Sequence, residues 1–257
     1  MSIITLTTDW GSKDFYAGAA KGVLLNEMPE ANVVDISHQI PPYDIIQGAF
    51  VLKNCYHLYP KGTVHIVEVK AQTDKNIVHI AVEANEHFFI GADNGVFSLL
   101  LDVVPSKIVE LNTSNNHTTF PTRDIYAKAA CHLARGGKLD ILGQEHASLL
   151  ERVFLRPVPE EHAIRGSVIY VDNYGNLITN ITEELFNKIG KNRQFVIYLR
   201  RHTYQIDRLS WFYNEVPAGE LLALFNAEGY LEIAINESRA NSLLGLKETD
   251  IIRIEFK

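Results

Sequence analysis

Two patterns of apolar and polar positions alternate over residues 1–155. Short apolar runs that predict buried strands are separated by segments with apolar residues at helical spacing. The predicted strands are Ile3–Leu6, Asn32–Ser37, Thr63–Val69, Ile77–Glu83, His87–Ile90 and Lys107–Leu111. The predicted helices are Phe15–Glu27, Asp44–Tyr56, Val96–Asp102 and Arg123–Arg135. Strands alternating with helices predict an α/β domain over residues 1–155 with a mostly parallel sheet.

The pattern changes after the polar segment Arg156–Glu161, which is typical of a linker. Residues 163–257 contain short β runs and one clear helix, Glu183–Ile189. The β runs are Gly166–Val171, Leu177–Ile181, Gln194–Arg200, Leu221–Asn226, Tyr230–Ile235 and Ile251–Phe256. They predict a smaller, mostly antiparallel β domain, either a barrel or a sandwich.

Composition narrows the class of protein. The 257 residues are 46% apolar and 21% charged, and the net charge of −7 argues against nucleic-acid binding, which usually needs a basic face. No apolar run reaches the roughly 18 residues of a membrane span. Cys55 and Cys131 lie in apolar patterns and are expected to be free thiols in a reducing compartment. The start of the chain shows no secretory leader, so a cytoplasmic protein is expected.

The first predicted strand ends at the polar sequence Thr8-Asp9-Trp10-Gly11, and a helical pattern starts near Asp14. In open α/β sheets, ligands bind at the carboxyl ends of the strands. A carboxylate at Asp9 can accept two hydrogen bonds from a sugar diol. Alternatively, Asp9 caps the helix that follows it.

The sequence gives little support for a metal site, a glycine-rich phosphate-binding loop or a GxSxG nucleophile. The ten histidines lack ligand spacing, with no HExxH and no paired His/Asp cluster, so no metal site is expected. The glycine-containing turns match neither a P-loop nor GxGxxG, and there is no GxSxG sequence.

The most unusual polar segment is VDNYGNLITNI, which starts at Val171. Tyr174 can stack on a heteroaromatic base, the amide of Asn176 can read a base edge, and Asp172 can hold an ammonium group. Alternatively, the segment is a strand–turn–strand connection that uses Asn and Gly for turn geometry.

Three stretches in this order, TDWGSKDFYAGAAKG, GADNGVFS and VDNYGNLITNI, resemble the S-adenosylmethionine hydroxide adenosyltransferase family, which is related to the fluorinases and chlorinases. The resemblance implies an N-terminal α/β domain and a C-terminal β-barrel domain. It implies a homotrimer with S-adenosylmethionine held between the N-domain of one subunit and the C-domain of its neighbour. The implied reaction is nucleophilic attack at C5′ of the ribose with release of methionine, without metal or further cofactor.

The resemblance also implies roles for residues of the N-terminal region. Asp9 matches the aspartate that binds the ribose hydroxyls, and Tyr43 lies where relatives have an aromatic residue beside the ligand. Phe120 and Thr122 flank the implied nucleophile pocket.

In the C-terminal region, Asp172 matches the carboxylate near the methionine ammonium. Tyr174 matches the aromatic residue over adenine, and Asn176 matches the amide that reads adenine. Asn226 and Asn236 lie in the segment that lines the C-domain wall of the implied pocket.

The chain departs from the family at the Asp-Arg-His set thought to handle water, where it has Lys70, Ile77 and Pro121. Lys70 and Thr122 are the remaining candidate catalytic residues. A lysine acts as a base only when burial depresses its pKa; otherwise its ammonium holds an anion or points to solvent. Three hypotheses follow. The protein is an adenosyltransferase or hydrolase with an altered nucleophile-handling set, a catalytically degenerate protein that binds S-adenosylmethionine or adenosine, or a trimeric structural or interaction protein with an empty site.

Overall fold

Contacts within the chain divide it into two units, Met1–Phe154 and Leu155–Lys257. The computed structural model describes residues 2–71, 78–112, 118–199 and 204–257. Within these ranges, no helix is long and apolar enough to cross a membrane.

The first unit contains a seven-stranded sheet. Its strands are β1 (Ile3–Thr8), β2 (Asn32–Ser37), β3 (Val64–Glu68), β4 (His79–Ala84), β5 (His87–Ala92), β6 (Lys107–Leu111) and β7 (Gly143–Glu145). Its helices are α1 (Tyr16–Glu27), α2 (Ile45–Lys53), α3 (Val96–Leu100) and α4 (Ala127–Ala134). A π-helical turn, Thr122–Tyr126, leads into α4, and 3-10 turns lie at Tyr56–Leu58 and Leu139–Ile141.

The strand order is β2-β1-β3-β5-β4-β6-β7, and the sheet is mixed. Strands β2, β1, β3 and β5 are parallel neighbours, whereas β4 is antiparallel to both β5 and β6, and β7 is antiparallel to β6. The prediction of a mostly parallel sheet is therefore confirmed only in part. The cause is local: only Asn85 and Glu86 connect β4 to β5, and both have positive φ, as tight hairpins require. A parallel pair would need a long crossover connection.

Helices cover both faces of this sheet. Ile66 of β3 packs in one apolar cluster with Leu24 of α1 and Cys131 of α4. Val67, the next residue of β3, packs in a second cluster with Leu52 of α2 and Phe97 of α3. Successive side chains of a strand point to opposite faces, so a nearly continuous apolar run is buried on both sides. This layering leaves the carboxyl ends of β1 and β3 as an edge where polar groups collect.

The second unit is an eight-stranded antiparallel sheet. Its strands are β8 (Val158–Pro159), β9 (Ala163–Val171), β10 (Leu177–Thr182), β11 (Phe195–Tyr198), β12 (Gln205–Ile206), β13 (Leu221–Phe225), β14 (Tyr230–Ile235) and β15 (Ile251–Phe256). Helices α5 (Glu183–Gly190) and α6 (Ala240–Leu244) and a 3-10 turn at Tyr213–Glu215 complete it.

Seven of these strands follow the order β12-β11-β15-β9-β10-β14-β13, and β8 pairs with β9. The backbone N–H of Ser210, just after β12, donates to the carbonyl of Ala223 in β13 at 2.8 Å, so the two ends of the sheet approach each other. The sheet is nearly closed around one apolar core, which confirms the barrel-like antiparallel domain. Part of the predicted linker, Val158–Pro159, is strand β8.

Candidate active site

The carboxyl ends of β1 and β3 frame a cavity of about 300 Å³. Thr8 and Glu68, the last residues of these strands, are in register, and the N–H of Asp9 donates to the carbonyl of Glu68 at 3.3 Å. The side chains that matter most for its chemistry are Asp9, Trp10, Tyr43, Glu68, Lys70 and Phe120. This is the sheet edge at which α/β proteins bind ligands.

Asp9 links three segments of the chain through hydrogen bonds to its carboxylate. Its Oδ2 accepts hydrogen bonds from the backbone N–H of Tyr43 at 2.8 Å and of Lys70 at 3.1 Å. Both donors have left-handed backbone conformations, with φ of 70° and 50°, which non-glycine residues rarely adopt. Helix α1 begins at Tyr16 without a side-chain cap, so the capping interpretation of Asp9 is wrong. The ribose-binding interpretation stays a prediction.

Tyr43 and Lys70 both line the cavity next to Asp9. The side chain of Tyr43 is exposed, and Lys70 is also exposed on the cavity rim. Asp44, which follows Tyr43, caps α2 by accepting from the N–H groups of Ile46 and Gln47 at 3.1 and 3.0 Å. The turn that presents Tyr43 is therefore anchored from both sides.

Aromatic rings form one wall of the cavity. The buried ring of Phe120 packs nearly perpendicular to the rings of Trp10 and Tyr16, with centroid distances of 5.2 and 5.3 Å and interplanar angles of 86° and 88°. His38 stacks on Trp10 at 5.7 Å. Edge-to-face packing fixes these rings in one arrangement. Trp10 and Tyr16 were not singled out from the sequence, although they lie in the segment that carries the resemblance.

Glu68 is the functional candidate that the sequence reasoning missed. Its side chain is 5% exposed but reaches the cavity. Oε2 accepts a 2.6 Å hydrogen bond from the N–H of Thr122, and Oε1 accepts a 3.3 Å bond from Nε1 of Trp10. Burial raises the pKa of Glu68 to about 7, helped by the nearby charge of Asp9 and opposed by the bonds from Thr122 and Trp10. The available signal was an acidic residue in an otherwise buried strand, VHIVE.

The three positions that depart from the family are placed differently. Lys70 and Pro121 line the cavity, and Ile77 lies outside the described residues. Thr122 is fully buried at the start of the π-helical turn, where its N–H holds Glu68. Thr122 thus meets the cavity through Glu68 and is not one of its lining residues.

A second cavity, of about 640 Å³, lies in the second unit. Tyr174, which is 75% exposed, and Asn176 line it together with Tyr213, Ile235 and Arg239. An exposed tyrosine beside an amide is an arrangement suited to a flat heteroaromatic group. Both residues are among the expected adenine contacts, whose role stays a prediction.

Asp172 and Asn176 bond to each other across the turn between β9 and β10. Oδ1 of Asp172 accepts from the N–H of Asn176 at 2.8 Å, and Oδ2 accepts from its Nδ2 at 3.2 Å. Gly175 has φ of +84°, and a Cβ there would lie 2.6 Å from Oδ1 of Asn241. The segment is the strand–turn–strand connection that one interpretation predicted. The same turn presents Tyr174 and Asn176 to the cavity, so both interpretations stay compatible.

Asn226 and Asn236 lie outside the lining of this cavity. Oδ1 of Asn226 accepts from the N–H of Tyr230 at 3.0 Å, which closes the turn between β13 and β14. Nδ2 of Asn236 donates to the carbonyl of Val216 at 2.8 Å. In this unit, both amides hold loop backbone in place.

A metal centre is not seen in the described ranges. Within them, no group of three or more His, Cys, Asp or Glu side chains is placed to hold a metal ion. The acidic residues that line the first cavity are Asp9 and Glu68. Their carboxyl groups accept hydrogen bonds from backbone N–H groups and, at Glu68, also from the indole N–H of Trp10.

Comparison with known proteins assigns the family. The model of the SAM hydroxide adenosyltransferase N-terminal domain matches residues 4–143, and the model of the corresponding C-terminal domain matches residues 166–253. The chain belongs to the SAM hydroxide adenosyltransferase family. The resemblance inferred from the three motifs is therefore confirmed.

Similar proteins are known from distant organisms. The chain is 31% identical to the (R)-S-adenosyl-L-methionine hydrolase of Salinispora tropica, covering 98% of this chain and 97% of that protein. It is 29% identical to the protein of the same name from Methanocaldococcus jannaschii and 25% identical to a fluorinase of Nocardia brasiliensis. An uncharacterised protein from Thermotoga maritima has the same fold, with a TM-score of 0.89, 31% identity and coverage of 98% of this chain and 99% of that chain.

Proposed function

We propose that the protein cleaves S-adenosylmethionine by attack of water on ribose C5′, giving adenosine and methionine. The supporting observation is the match of both regions of the chain to one family whose similar members are named S-adenosylmethionine hydrolases. The first cavity supplies groups suited to this substrate: the carboxylate of Asp9 for the ribose hydroxyls and an aromatic wall around Phe120. The second cavity supplies Tyr174 and Asn176 for a base.

The reaction needs no metal or further cofactor in this proposal. The sulfur of S-adenosylmethionine is a sulfonium, so it leaves as a neutral thioether once the C5′–S bond breaks. The protein has to bind the adenosyl group, orient a water molecule and accept one proton. We also propose that the chain works as a homotrimer in the cytoplasm, with no nucleic-acid or membrane partner; light scattering of the purified protein tests the trimer.

Incubation with S-adenosylmethionine tests the function. The sulfonium exists in two configurations, and the relatives' name specifies the (R) form, so each epimer is supplied separately. Chromatography should show methionine and adenosine in equal amounts. Added fluoride or chloride should give no halogenated nucleoside, whereas such a product would place the protein with the halogenases. A protein that releases no methionine with either epimer or any halide would contradict the proposal.

The second candidate function is a protein that binds S-adenosylmethionine or adenosine without turnover. Lys70 and Pro121 favour it, because they stand on the cavity wall where the family has acidic and imidazole side chains for handling water. An ammonium and a pyrrolidine ring cannot take a proton from water. Tight binding with an intact ligand after long incubation would support this candidate.

A further inference from the structure

The first cavity contains one carboxyl group whose function the family pattern leaves unassigned. Glu68 is the last residue of β3, two residues before Lys70, and both side chains line the cavity. It therefore stands on the cavity wall close to the position that Lys70 leaves without a base.

The carboxyl group of Glu68 is held firmly. The N–H of Thr122 at 2.6 Å fixes Oε2, and Nε1 of Trp10 at 3.3 Å contacts Oε1. Each carboxylate oxygen has two acceptor positions, so these two bonds leave capacity for a water molecule in the cavity. A preoriented acceptor at hydrogen-bond reach of water is what general-base catalysis needs.

Glu68 is also placed next to the expected ribose-binding group. The N–H of Asp9 donates to the carbonyl of Glu68, and both side chains line the same 300 Å³ cavity. A ribose held by Asp9 would therefore occupy the same cavity as Glu68, whose wall includes Trp10 and Phe120.

We propose that the carboxylate of Glu68 is the general base that accepts a proton from the water attacking C5′. This assignment rests on the proposed function. The water oxygen forms a bond to C5′ while the C5′–S bond breaks. The electron pair of the C5′–S bond stays on sulfur, which leaves as the neutral thioether of methionine. The water proton passes to Glu68 and then to solvent, so one proton is released for each adenosine formed.

The protonation state of Glu68 suits this role. Burial raises its pKa to about 7, and a base works best when its pKa is near the working pH.

The other titratable side chains that line the same cavity are those of Asp9, Tyr16, Tyr43 and Lys70. Behind it, His38 stacks on Trp10, and Tyr126 bonds to His79 at 2.6 Å. Burial lowers the pKa of His79 and raises that of Tyr126. His38, the imidazole that contacts the cavity wall through Trp10, is therefore replaced in one of the test variants.

Four variants test the assignment: Glu68→Gln, Glu68→Asp, His38→Asn and the control Glu83→Gln. Glu83 is a glutamate of β4 at the opposite end of the sheet. Methionine and adenosine formation is followed from about pH 5 to 9, and affinity for S-adenosylhomocysteine, which lacks the sulfonium charge, is measured by calorimetry. Glu68→Gln should lower kcat on the order of 10²- to 10⁴-fold, the range for a lost general base, with little change in affinity for the neutral S-adenosylhomocysteine.

The pH profile separates a base from a purely structural group. In the wild type and in His38→Asn, kcat/KM should fall as pH drops below about 7, because protonated Glu68 in the free protein cannot accept a proton. Glu68→Asp should keep this dependence with a reduced rate, Glu68→Gln should lose it, and Glu83→Gln should match the wild type.

The outcomes distinguish the two proposals. Equal methionine formation by the wild type and Glu68→Gln would overturn the base assignment and leave the proposed function intact. A pH dependence that survives in Glu68→Gln and disappears in His38→Asn would also overturn it. Loss of affinity for S-adenosylhomocysteine in both Glu68 variants would show that Glu68 only shapes the cavity. No methionine from the wild type with either epimer would overturn both proposals.

Discussion

The backbone N–H of Lys70 lies 3.1 Å from Oδ2 of Asp9. A carboxylate that follows β1 therefore fixes the conformation of the residue that follows β3. The same oxygen accepts from the N–H of Tyr43, which precedes α2. One side chain thus holds two left-handed residues at the cavity rim, and each such conformation costs energy that the hydrogen bonds offset.

Replacing Asp9 should therefore affect stability as well as binding. We expect Asp9→Ala to lower the free energy of unfolding by about 1–3 kcal/mol, because two backbone donors lose a charged acceptor. Affinity for an adenosyl ligand should fall in the same variant. Denaturant unfolding and calorimetry measure the two effects. Asp14→Ala, an exposed aspartate nearby, is the control. Unchanged unfolding of Asp9→Ala would show that Tyr43 and Lys70 hold their conformations without it.

Two glycines with the same φ of +84° provide a matched test of the Asp172–Asn176 turn. A Cβ at Gly219 meets no atom within 4 Å, whereas one at Gly175 would lie 2.6 Å from Oδ1 of Asn241 and 2.9 Å from Cβ of Arg239. Gly219→Ala should cost about 1 kcal/mol of stability for its left-handed backbone. Gly175→Ala should cost more in thermal unfolding, because Arg239 also has to move. Equal costs would mean that the turn relaxes freely.

The raised pKa of Glu68 predicts a dependence of stability on pH. Between the ordinary value of 4.5 and about 7, the folded chain keeps a proton that the unfolded chain releases. The free energy of unfolding should therefore fall as pH rises through this window, by about 3 kcal/mol at roughly 1.4 kcal/mol per pH unit.

Glu68→Gln removes this titration. Its stability relative to the wild type should increase from pH 4.5 to 7 and then level off, as read from denaturant unfolding across the pH series. Glu83→Gln should show no such change relative to the wild type. A constant difference between Glu68→Gln and the wild type would mean that Glu68 keeps an ordinary pKa.

The tryptophans allow binding in the first cavity to be observed directly. The chain has two, Trp10 on the cavity wall and Trp211, which is 86% exposed. In Trp211→Phe, addition of S-adenosylhomocysteine should change the emission of Trp10, because the ligand alters the surroundings of the indole. In Trp10→Phe, the emission of the exposed Trp211 should stay constant. A change confined to Trp10→Phe would contradict binding beside Trp10.

Most of the strands could be predicted from the sequence. The apolar runs of β1, β3 and β5 predict strands because these strands are largely buried on both faces of the sheet. The sequence predicts a buried strand at β2 as well, but at this edge of the sheet its residues are half-buried or exposed. The direction of β4 was missed, because it is set by the short connection at Asn85 and Glu86 and not by the apolar pattern of the strand. The polar sequence around β8 predicts a linker, because an exposed two-residue strand has no apolar pattern.

The residues of the candidate site could be predicted from the sequence only in part. Asp9 and Tyr174 stand out because a polar or aromatic residue interrupts an apolar pattern at a strand end. Glu68 gives a weaker signal, since the sequence does not show that its carboxyl group meets the N–H of Thr122 from a segment 54 positions away. The turn roles of Asn226 and Asn236 likewise depend on which backbone groups lie opposite their amides.

The buried carboxyl group of Glu68 links the charge of a bound ligand to the pH of the solution. With a pKa of about 7, it is partly protonated in neutral solution. A ligand that brings a positive charge into the cavity favours the ionised form and expels the proton, whereas a neutral nucleoside does not. Cation uptake and proton release are then a single exchange, so a charged substrate gains affinity in alkaline medium, and the proton taken from water restores the neutral carboxyl group beside the uncharged nucleoside.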